Sequence, residues 1–559
     1  MTTPSRSLRF TALLVLLTVL AVLGPVAAAA EAAQRTGRVV VVLADRGGGD
    51  RARAAALTAV AARAGARTAG PGVPALGVVA LRPAPGASMS ALLNRLRDDR
   101  AVRSARPEYR LQPRLEPNDP ALTADEPSQG APIGTPVQWA IARQRLPQAW
   151  EVARGFGARV GVIDSGVDGG HPDLAGKVDR AVDQGGGPPT QDSAGHGTHV
   201  SSLACATTND GIGLAGTGYD CRLIVERSDF SETSIARSIV DATDNGADAI
   251  NMSFGIDGST PPSDAIRAAL DYAVAREVVL VAAAANEAVE EQGEPANMLQ
   301  PTGTGPDLMA GIGLSVTAAD FSNARAPGAG RGTQVSLASY GSFGTGGPRG
   351  IFAAFPANFT EIEMGVLAIP PAPPCSLCRT TFAGDRRYAY LQGTSMAAPQ
   401  VAGIAALIKR LNPDLRALEI VRMLKETATS PAWEPELGWG IVDAGAAVEA
   451  ARVVDHILPI SRLKAPSRSK SRRIRLKWTG SDPTRPGLIP SGVRRYEVFA
   501  ASARGGGFRL IARTKRRSVR FTGKPGTRYR FYTVAIDGVG NRESPPSRPD
   551  ASTRVMPRR

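Results

Sequence analysis

The pattern of hydrophobic and polar positions changes twice along the chain. In the first stretch, an apolar run at 38–43 predicts a buried strand, and an alanine- and arginine-rich run at 51–64 predicts a helix. A strand near 76–81, a helix near 88–96 and a strand near 103–111 follow. Together they predict a small α+β unit.

The central stretch, from about 137 to 452, alternates strand and helix patterns. Apolar runs at 159–163, 247–252 and 278–282 predict strands, and the run at 263–276 predicts a helix. This alternation predicts a parallel sheet that is flanked by helices.

From 457 onward the pattern changes to short alternating strands, for example at 473–478, 496–500 and 529–535. This rhythm is typical of a β-sandwich. A segment rich in proline and aspartate, 113–136, has the composition of a linker between the first and the central stretch.

Charge is distributed unevenly among these stretches. The 559 residues carry a net charge of +15, which by itself suggests a nucleic-acid or anionic-surface binder. Residues 456–559 hold 26 basic and 5 acidic side chains, so the rest of the chain has a net charge of −6. Because no aromatic-and-basic recognition motif is present, we expect no specific nucleic-acid partner.

The amino terminus has the pattern of a secretory signal peptide. Arg6 and Arg9 precede the uncharged run 10–30, and small residues follow at 27–33. The run is long enough for an uncleaved membrane anchor, but Pro25 and the alanine-rich end favour cleavage. We expect residues 1–33 to be removed and the protein to be secreted.

Four cysteines fit an oxidising compartment. Their spacing suggests the disulfides Cys205–Cys221 and Cys375–Cys378, although the sequence alone allows three pairings. A zinc site of four cysteines would need a second Cys-x-x-Cys motif, which Cys205 and Cys221 do not supply. We therefore expect disulfides.

Candidate chemistry concentrates in three segments of the central stretch. Asp164 follows the apolar strand 159–163, at the end where parallel α/β sheets place their sites. His196 lies in a glycine-flanked turn, where the backbone bends easily. Ser395 opens an apolar helix that continues to about 411, beside free backbone N–H groups suited to an oxyanion.

These three motifs, in the chain order Asp, His, Ser, resemble those of the subtilases, the subtilisin-like serine peptidases. The resemblance spans roughly 137–452 and includes the motif Gly-Trp-Gly-Ile-Val-Asp at 438–443. It implies an α/β fold of three layers with a mostly parallel central sheet. It also implies hydrolysis of protein or peptide substrates, with no cofactor required for the chemistry.

The resemblance implies a role for each matching residue. Ser395 would attack the scissile carbonyl, His196 would transfer the proton, and Asp164 would orient the imidazole. Asn286 matches the asparagine of the family's oxyanion hole. Ala285 departs from the family, which usually has glycine there, and its methyl group is expected to crowd the wall of the substrate pocket.

Two further matches are weaker. Ser253, Phe254 and Gly255 match the strand edge that would pair with an extended substrate, and the alternative is an ordinary buried strand end. The segment 209–214, with Asp210, resembles the family's calcium loop, with Asp173 as a second carboxylate. The alternative there is a glycine-rich turn, and a structural calcium is the only metal we expect.

The remaining segments resemble accessory parts of secreted subtilases. Residues 34–112 resemble a propeptide by position and by βαββαβ-like order, which implies an intramolecular inhibitor released by processing between Gln112 and Ala124. His199, on the same helix as His196, is expected to be structural. The insertion 341–390 is longer than a minimal subtilase needs and is expected to shape the rim near Ser395.

Residues 456–559 resemble a fibronectin type III domain, with Tyr529 as a candidate tyrosine corner and Trp478 in the core. Their charge suggests attachment to an anionic cell-wall polymer, an acidic substrate or a membrane surface, and the alternative is generic surface arginine. In a rival hypothesis this domain carries the principal function.

The sequence predicts a secreted zymogen of a serine endopeptidase, with the peptidase domain at 137–455 and the basic β-sandwich at 456–559. The rival from another class is a cell-surface binding protein whose subtilase-like domain has lost its activity. Intact Asp164, His196, Ser395 and Asn286 argue against that rival.

Overall fold

The computed structural model describes residues 35–44, 49–84, 87–109, 117–255, 258, 260, 262–365, 375, 377–503 and 505–557. The predicted signal peptide at 1–33 lies outside these residues, as does 110–116, the segment that contains the start of the predicted processing region. The chain divides into two compact units, Met1–Arg114 and Leu115–Arg559. Within the described residues, no helix has both the length and the apolar character needed to cross a bilayer.

The first unit is a four-stranded antiparallel sheet with two helices, in the βαββαβ order that the sequence predicts. Val39 and Val41 alternate inward from the first strand and share one core with Leu57 and Leu92 of the two helices. The sheet order is β2-β3-β1-β4. Its elements are β1 Arg35–Leu43, α1 Asp50–Arg63, β2 Ala66–Thr68, β3 Val78–Pro83, α2 Met89–Asp98 and β4 Val102–Tyr109.

The second unit is built on a seven-stranded sheet in which every neighbouring pair is parallel. All five residues of its interior strand β9 are buried, as expected for a sheet that is covered on both faces. The order is β11-β10-β9-β8-β5-β7-β6. The strands are β5 Arg159–Asp164, β6 Val178–Gln184, β7 Arg222–Ser228, β8 Ala249–Met252, β9 Val279–Ala283, β10 Leu314–Ala319 and β11 Leu337–Tyr340.

Helices cover both faces of this sheet. Successive residues of a strand point to opposite faces, so that Val281 of β9 joins one hydrophobic core and its neighbour Leu280 joins another. This arrangement confirms the predicted three-layer α/β fold. The helices are α3 Trp139–Arg143, α4 Leu146–Val152, α5 His196–Cys205, α6 Glu232–Asp244, α7 Asp264–Val274, α8 Ala296–Leu299, α9 Glu361–Met364, α10 Thr394–Leu411, α11 Ala417–Glu426 and α12 Ala444–Val453.

The strand order locates a candidate site. Strand β5 lies between β7 and β8, so the chain proceeds outward from β5 in both directions. In a parallel sheet such a reversal leaves a crevice at the carboxyl ends of the two strands. Ile163 pairs with Met252, and therefore Asp164 and Ser253 emerge side by side at this crevice.

The insertion 341–390 forms a separate antiparallel sheet of three strands, in the order β12-β14-β13. This sheet packs against α5, since the Ser202 hydroxyl accepts a 3.1 Å hydrogen bond from the Ala354 N–H. Its strands are β12 Ile351–Ala354, β13 Arg379–Phe382 and β14 Asp385–Leu391.

The carboxyl-terminal part forms two facing sheets, β15-β17-β20 and β16-β22-β21-β18-β19, which confirms the predicted β-sandwich. Trp478 is buried in their shared core, and the Tyr529 hydroxyl accepts a 2.9 Å hydrogen bond from the Lys524 N–H, as in a tyrosine corner. The fibronectin type III assignment itself stays a prediction. The strands are β15 Ile460–Lys464, β16 Arg468–Ser469, β17 Arg473–Ser481, β18 Val493–Ser502, β19 Arg509–Thr514, β20 Ser518–Thr522, β21 Arg528–Asp537 and β22 Ala551–Val555.

Candidate active site

Asp164 and His196 form a hydrogen-bonded pair at the crevice. Asp164 is the last residue of β5 and is 1 % exposed, while His196 is the first residue of α5. The His196 Nδ1 atom lies 2.8 Å from Oδ1 and 3.0 Å from Oδ2 of Asp164. Because this contact occupies Nδ1, the Nε2 atom is left as the site for proton exchange.

The charge of Asp164 sets the protonation behaviour of His196. Burial acts to lower the pKa of His196, but the negative charge and the hydrogen bond of Asp164 outweigh burial and raise that pKa. The pair is thus arranged to stabilise an imidazolium once a proton arrives at Nε2.

Asp192, which the sequence analysis did not single out, holds the histidine turn in place. Its Oδ1 accepts hydrogen bonds from the Gly195 N–H at 2.8 Å and the Ser165 hydroxyl at 2.9 Å. Its Oδ2 accepts bonds from both the N–H and the hydroxyl of Thr198. The signal was present in the sequence, because Asp192 starts the same short motif that contains His196.

Ser395 is joined to the crevice through Ser253. The Ser395 hydroxyl donates to the Ser253 carbonyl at 3.1 Å, and the Ser253 hydroxyl donates to the Ser395 carbonyl at 3.0 Å. Ser253 directly follows β8, the strand beside β5. The structure therefore brings Ser395 to the edge of the sheet where Asp164 lies, with its hydroxyl bonded to Ser253 O.

Asn286 is held by the residue that precedes Ser395. Its Oδ1 accepts hydrogen bonds from the Thr394 N–H at 2.9 Å and the Thr394 hydroxyl at 3.0 Å. The same hydroxyl lies 2.6 Å from the Ala284 carbonyl, which follows β9. Because these contacts engage the oxygen of the amide, the Nδ2 donor is left for a ligand.

The remaining residues predicted to bind substrate surround this centre. Phe254 is half-buried and packs edge-on against Phe230, with ring centroids 5.4 Å apart, and Gly255 is exposed. Neither belongs to a strand here, so the predicted pairing with an extended peptide stays a prediction. Ala285 is anchored by its own backbone, which donates to Gln292 Oε1 at 2.8 Å.

His199 is a structural residue, as the sequence predicts. It is fully buried, and its Nε2 lies 3.1 Å from the Ile351 carbonyl and 3.3 Å from the Ala389 carbonyl, both in the insertion. Burial, with a smaller contribution from the charge of His196, lowers the pKa of His199 to about 3. His199 therefore stays neutral near pH 7, and its hydrogen bond links α5 to the insertion.

The insertion braces the histidine turn directly. The Glu361 N–H donates to the Ser193 carbonyl at 2.9 Å, and the Ser193 hydroxyl donates to Glu361 Oε1 at 2.8 Å. Gly195 has a φ of +88°, and a Cβ atom there would lie 2.6 Å from the Phe355 ring. The insertion therefore contacts the turn that carries His196. Its expected place at the rim near Ser395 stays a prediction.

The two carboxylates of the predicted calcium loop accept hydrogen bonds from the protein itself. Asp173 Oδ1 accepts a hydrogen bond from the Leu214 N–H at 2.8 Å, and Oδ2 accepts one from the Tyr388 hydroxyl at 2.7 Å. Asp210 Oδ1 accepts from the Ile212 N–H within its own turn. Calcium needs six to eight converging oxygens, and within the described residues Asp173 and Asp210 belong to no group of three converging side-chain ligands. Calcium at Asp173 and Asp210 stays a prediction without structural support.

One of the two predicted disulfides is confirmed and the other is wrong. Cys205 and Cys221 are bonded, and the bridge links the end of α5 to the start of β7. Cys375 and Cys378 are free thiols. The reason is a tight turn in which the Cys378 thiol donates to the Cys375 carbonyl at 2.9 Å, so the sulfur is directed at the backbone.

Comparison with known proteins shows the family of this chain. The profile of the Subtilase family matches residues 155–440, about half of the chain, and this range contains Asp164, His196 and Ser395. The chain belongs to the subtilase family.

Three relatives illustrate the similarity. Thermitase of Thermoactinomyces vulgaris is 30% identical over 279 residues, 48% of this chain and 81% of the relative. Subtilisin Savinase of Lederbergia lenta is 32% identical over 317 residues, 56% of this chain and 98% of the relative. An extracellular protease of Xanthomonas campestris pv. campestris is 29% identical over 418 residues, 65% of this chain and 62% of the relative. Membership in this family of serine peptidases supports a serine endopeptidase.

Proposed function

We propose that this subtilase is a secreted serine endopeptidase in which Asp164, His196 and Ser395 form the catalytic triad. The observation that carries the proposal is the 2.8 Å contact between His196 Nδ1 and Asp164 Oδ1, beside a serine at the start of a buried helix. In acyl transfer the serine hydroxyl supplies the nucleophile, the histidine carries the proton, and the aspartate stabilises the charged histidine.

Acylation begins when the Ser395 hydroxyl leaves the Ser253 carbonyl and donates to His196 Nε2. Its oxygen attacks the scissile carbonyl carbon while the proton passes to Nε2, and Asp164 stabilises the resulting imidazolium. The imidazolium then gives that proton to the leaving amine, and the C–N bond breaks. Water repeats the sequence on the acyl-enzyme and releases the free serine.

The developing oxyanion has two donors on this chain. The Nδ2 group of Asn286 is one, because Thr394 already binds the oxygen of that amide. The backbone N–H of Ser395 is the other, because a residue in the first turn of a helix has no carbonyl one turn before it inside the helix. Donors of this kind act where charge appears and so favour the transition state.

A serine-directed fluorophosphonate probe tests the assignment. We expect the mature wild-type protein to be labelled once per chain, and the Ser395→Ala protein to remain unlabelled. Ser322→Ala, at an exposed serine of the same domain, is the matched control and should label like the wild type. A folded, mature wild-type protein that does not label would instead favour the inactive cell-surface binding protein.

Residues 34–112 would act as the propeptide. The βαββαβ order of the described elements is the support for this role. Cleavage between Gln112 and Ala124 would release the unit, after which the enzyme is active. Mass spectrometry of the secreted protein tests this step, and an active chain that still carries the whole first unit would contradict it.

The basic sandwich would retain the enzyme on anionic cell-wall polymer. The support is its charge, since 456–559 carries 26 basic and 5 acidic side chains. Retention should weaken with salt, because screening shortens the reach of surface charges. A chain that ends at residue 455 should be released from cell walls at every salt concentration, and equal retention of both chains would reject the proposal.

A further inference from the structure

Three aspartates meet where the peptidase part passes into the β-sandwich. Asp455 follows α12, Asp482 follows β17, and Asp537 is the last residue of β21. One carboxylate oxygen from each lies within 4.8 Å of the other two. We call these three residues the carboxylate cluster.

The cluster contains buried oxygens without a partner. Asp537 is fully buried, and its Oδ2 has no hydrogen bond in the described part of the chain. The Oδ1 atom of Asp482 is buried and equally without a partner. Burying a carboxylate oxygen costs free energy unless a hydrogen-bond donor or a cation compensates it. Both oxygens are therefore suited to bind a cation.

The other oxygens are held in place by the backbone. Asp455 accepts hydrogen bonds from the Ile457 N–H and the Ser491 N–H, both at 3.0 Å. Asp482 Oδ2 accepts from the Gly492 N–H at 2.6 Å, and Asp537 Oδ1 accepts from the Asn541 N–H at 2.8 Å. These bonds engage one oxygen of Asp482, one oxygen of Asp537 and both oxygens of Asp455, and each of these oxygens keeps a further lone pair for a cation.

The described residues supply no basic partner to the cluster within ion-pair distance. None of the ion pairs among the described residues involves a member of the cluster, although the surrounding domain holds 26 basic residues. Three carboxylates held together at the border of a strongly basic domain, with no described ion pair to any of them, are suited to a compact cation.

We propose that the carboxylate cluster binds a calcium ion that joins the peptidase domain to both sheets of the sandwich. All the donors are oxygens, whereas zinc prefers nitrogen and sulfur ligands, and magnesium keeps most of its water. Asp482 directly follows a strand of the three-stranded sheet and Asp537 ends a strand of the five-stranded sheet, while Asp455 lies in the linking segment. The ion therefore ties three separate parts of the chain together.

Calcium titration of the full chain tests the proposal. The parent is the secreted protein with Ser395→Ala, which prevents self-digestion, and with Asp210→Asn, which removes the predicted loop site. After treatment with EDTA, isothermal titration should show one calcium per chain, with a dissociation constant of about 10⁻⁴ to 10⁻³ M, the range of extracellular modules. Magnesium at the same concentration should not displace it.

Asp482→Asn in the same background should lose this one calcium, because an amide keeps the acceptor for the Gly492 N–H but removes the charge. The matched control is Asp414→Asn, which removes a carboxylate paired with Arg485 outside the cluster and should still bind one calcium. Equal binding by Asp482→Asn would overturn the proposal. So would a parent that binds no calcium.

Thermal unfolding of the parent provides a readout that does not depend on the folding of the variant. About 10 mM calcium should raise the midpoint relative to EDTA by a few degrees, since a ligand of the native state stabilises it by mass action. An unchanged midpoint would overturn the proposal. The proposal would also be overturned if Asp482→Asn were more stable than the parent both with calcium and with EDTA. That result would show that the three carboxylates only repel one another.

Discussion

The Asn286 amide oxygen accepts two hydrogen bonds from Thr394, the residue immediately before Ser395. The proposed oxyanion donor and the proposed nucleophile are thus positioned by one residue. Any displacement of the first turn of α10 moves both groups together. Thr394 is therefore a positioning residue for the donor.

Replacing Asn286 by alanine should reduce kcat by about 10²–10³, the loss seen in subtilisin when its oxyanion asparagine is removed. KM should change little, because the bond forms as charge develops in the transition state. Steady-state kinetics on a peptide ester or amide measure both quantities. Thr394→Val should lower kcat less, while Thr394→Ser, which keeps the hydroxyl, should be close to wild type. A Thr394→Ser loss as large as that of Asn286→Ala would contradict the positioning role.

The pH profile should report the pair formed by His196 and Asp164. Catalysis needs neutral His196, so kcat/KM falls as the pH drops through the pKa of His196, which Asp164 raises. Asp164→Asn removes the negative charge, lowers that pKa and moves the acid limb to lower pH. The same change should cost about 10⁴ in kcat, because the amide favours the wrong tautomer.

The control for this shift is Asp271→Asn, which removes a charge from an exposed position on α7. Its acid limb should coincide with that of the wild type. An Asp164→Asn profile whose acid limb stays in place, or moves to higher pH, would show that another group controls the limb.

Gly195→Ala should damage both stability and activity. The methyl group would meet the Phe355 ring at 2.6 Å and Thr360 Cγ2 at 3.0 Å, in a backbone conformation with φ of +88°. Strain and overpacking of this kind cost about 1–3 kcal/mol in the free energy of unfolding. Urea unfolding in the Ser395→Ala background measures the loss, and kinetics on the active protein should show a lower kcat.

Gly169→Ala is the matched control, because the nearest atom to its added Cβ is Thr190 Cβ at 3.6 Å. That variant should be within about 1 kcal/mol of its parent, as for a glycine whose conformation alanine can adopt. If Gly195→Ala is as stable as its parent, the insertion does not pack tightly against the turn that carries His196.

The centre of the candidate site can be proposed from the sequence because its residues lie in short segments. Asp164, His196 and Ser395 each lie in a local motif, and the alternation of strands and helices predicts the sheet that brings them to one edge. Asp192 belongs to one of those motifs as well. The sequence alone does not show that Asp192 holds this turn in place. The hydrogen bonds that give Asp192 this role form only in the folded turn.

Contacts between distant segments are what the sequence could not predict. The Tyr388 hydroxyl, 215 positions from Asp173, occupies an oxygen expected to bind calcium. Glu361 reaches Ser193 across 168 positions, which no local pattern indicates. The Cys375–Cys378 spacing suits a disulfide, but the direction of the Cys378 sulfur depends on the turn between the two residues. In each case the decisive geometry belongs to the folded insertion.

Cys375 should be an unusually reactive thiol in the reduced protein. Once Cys375 is ionised, the Cys378 thiol donates to the Cys375 sulfur instead of the Cys375 carbonyl, and this hydrogen bond outweighs burial and lowers the pKa of Cys375 to about 7. Its alkylation by iodoacetamide, followed by mass spectrometry, should therefore rise with pH through about 7. An ordinary cysteine titrates near about 8.5.

Substitutions at Cys378 test the cause of this shift. Cys378→Ala removes the donor, so the pKa of Cys375 should rise and the alkylation profile should move to higher pH. Cys378→Ser keeps an O–H donor, and its profile should stay close to that of the wild type. Because the thiolate is the nucleophile, the midpoint of each profile follows the donor at position 378. A reduced wild-type protein whose Cys375 reacts with an ordinary midpoint, unchanged in Cys378→Ala, would show that the hydrogen bond does not control this thiol.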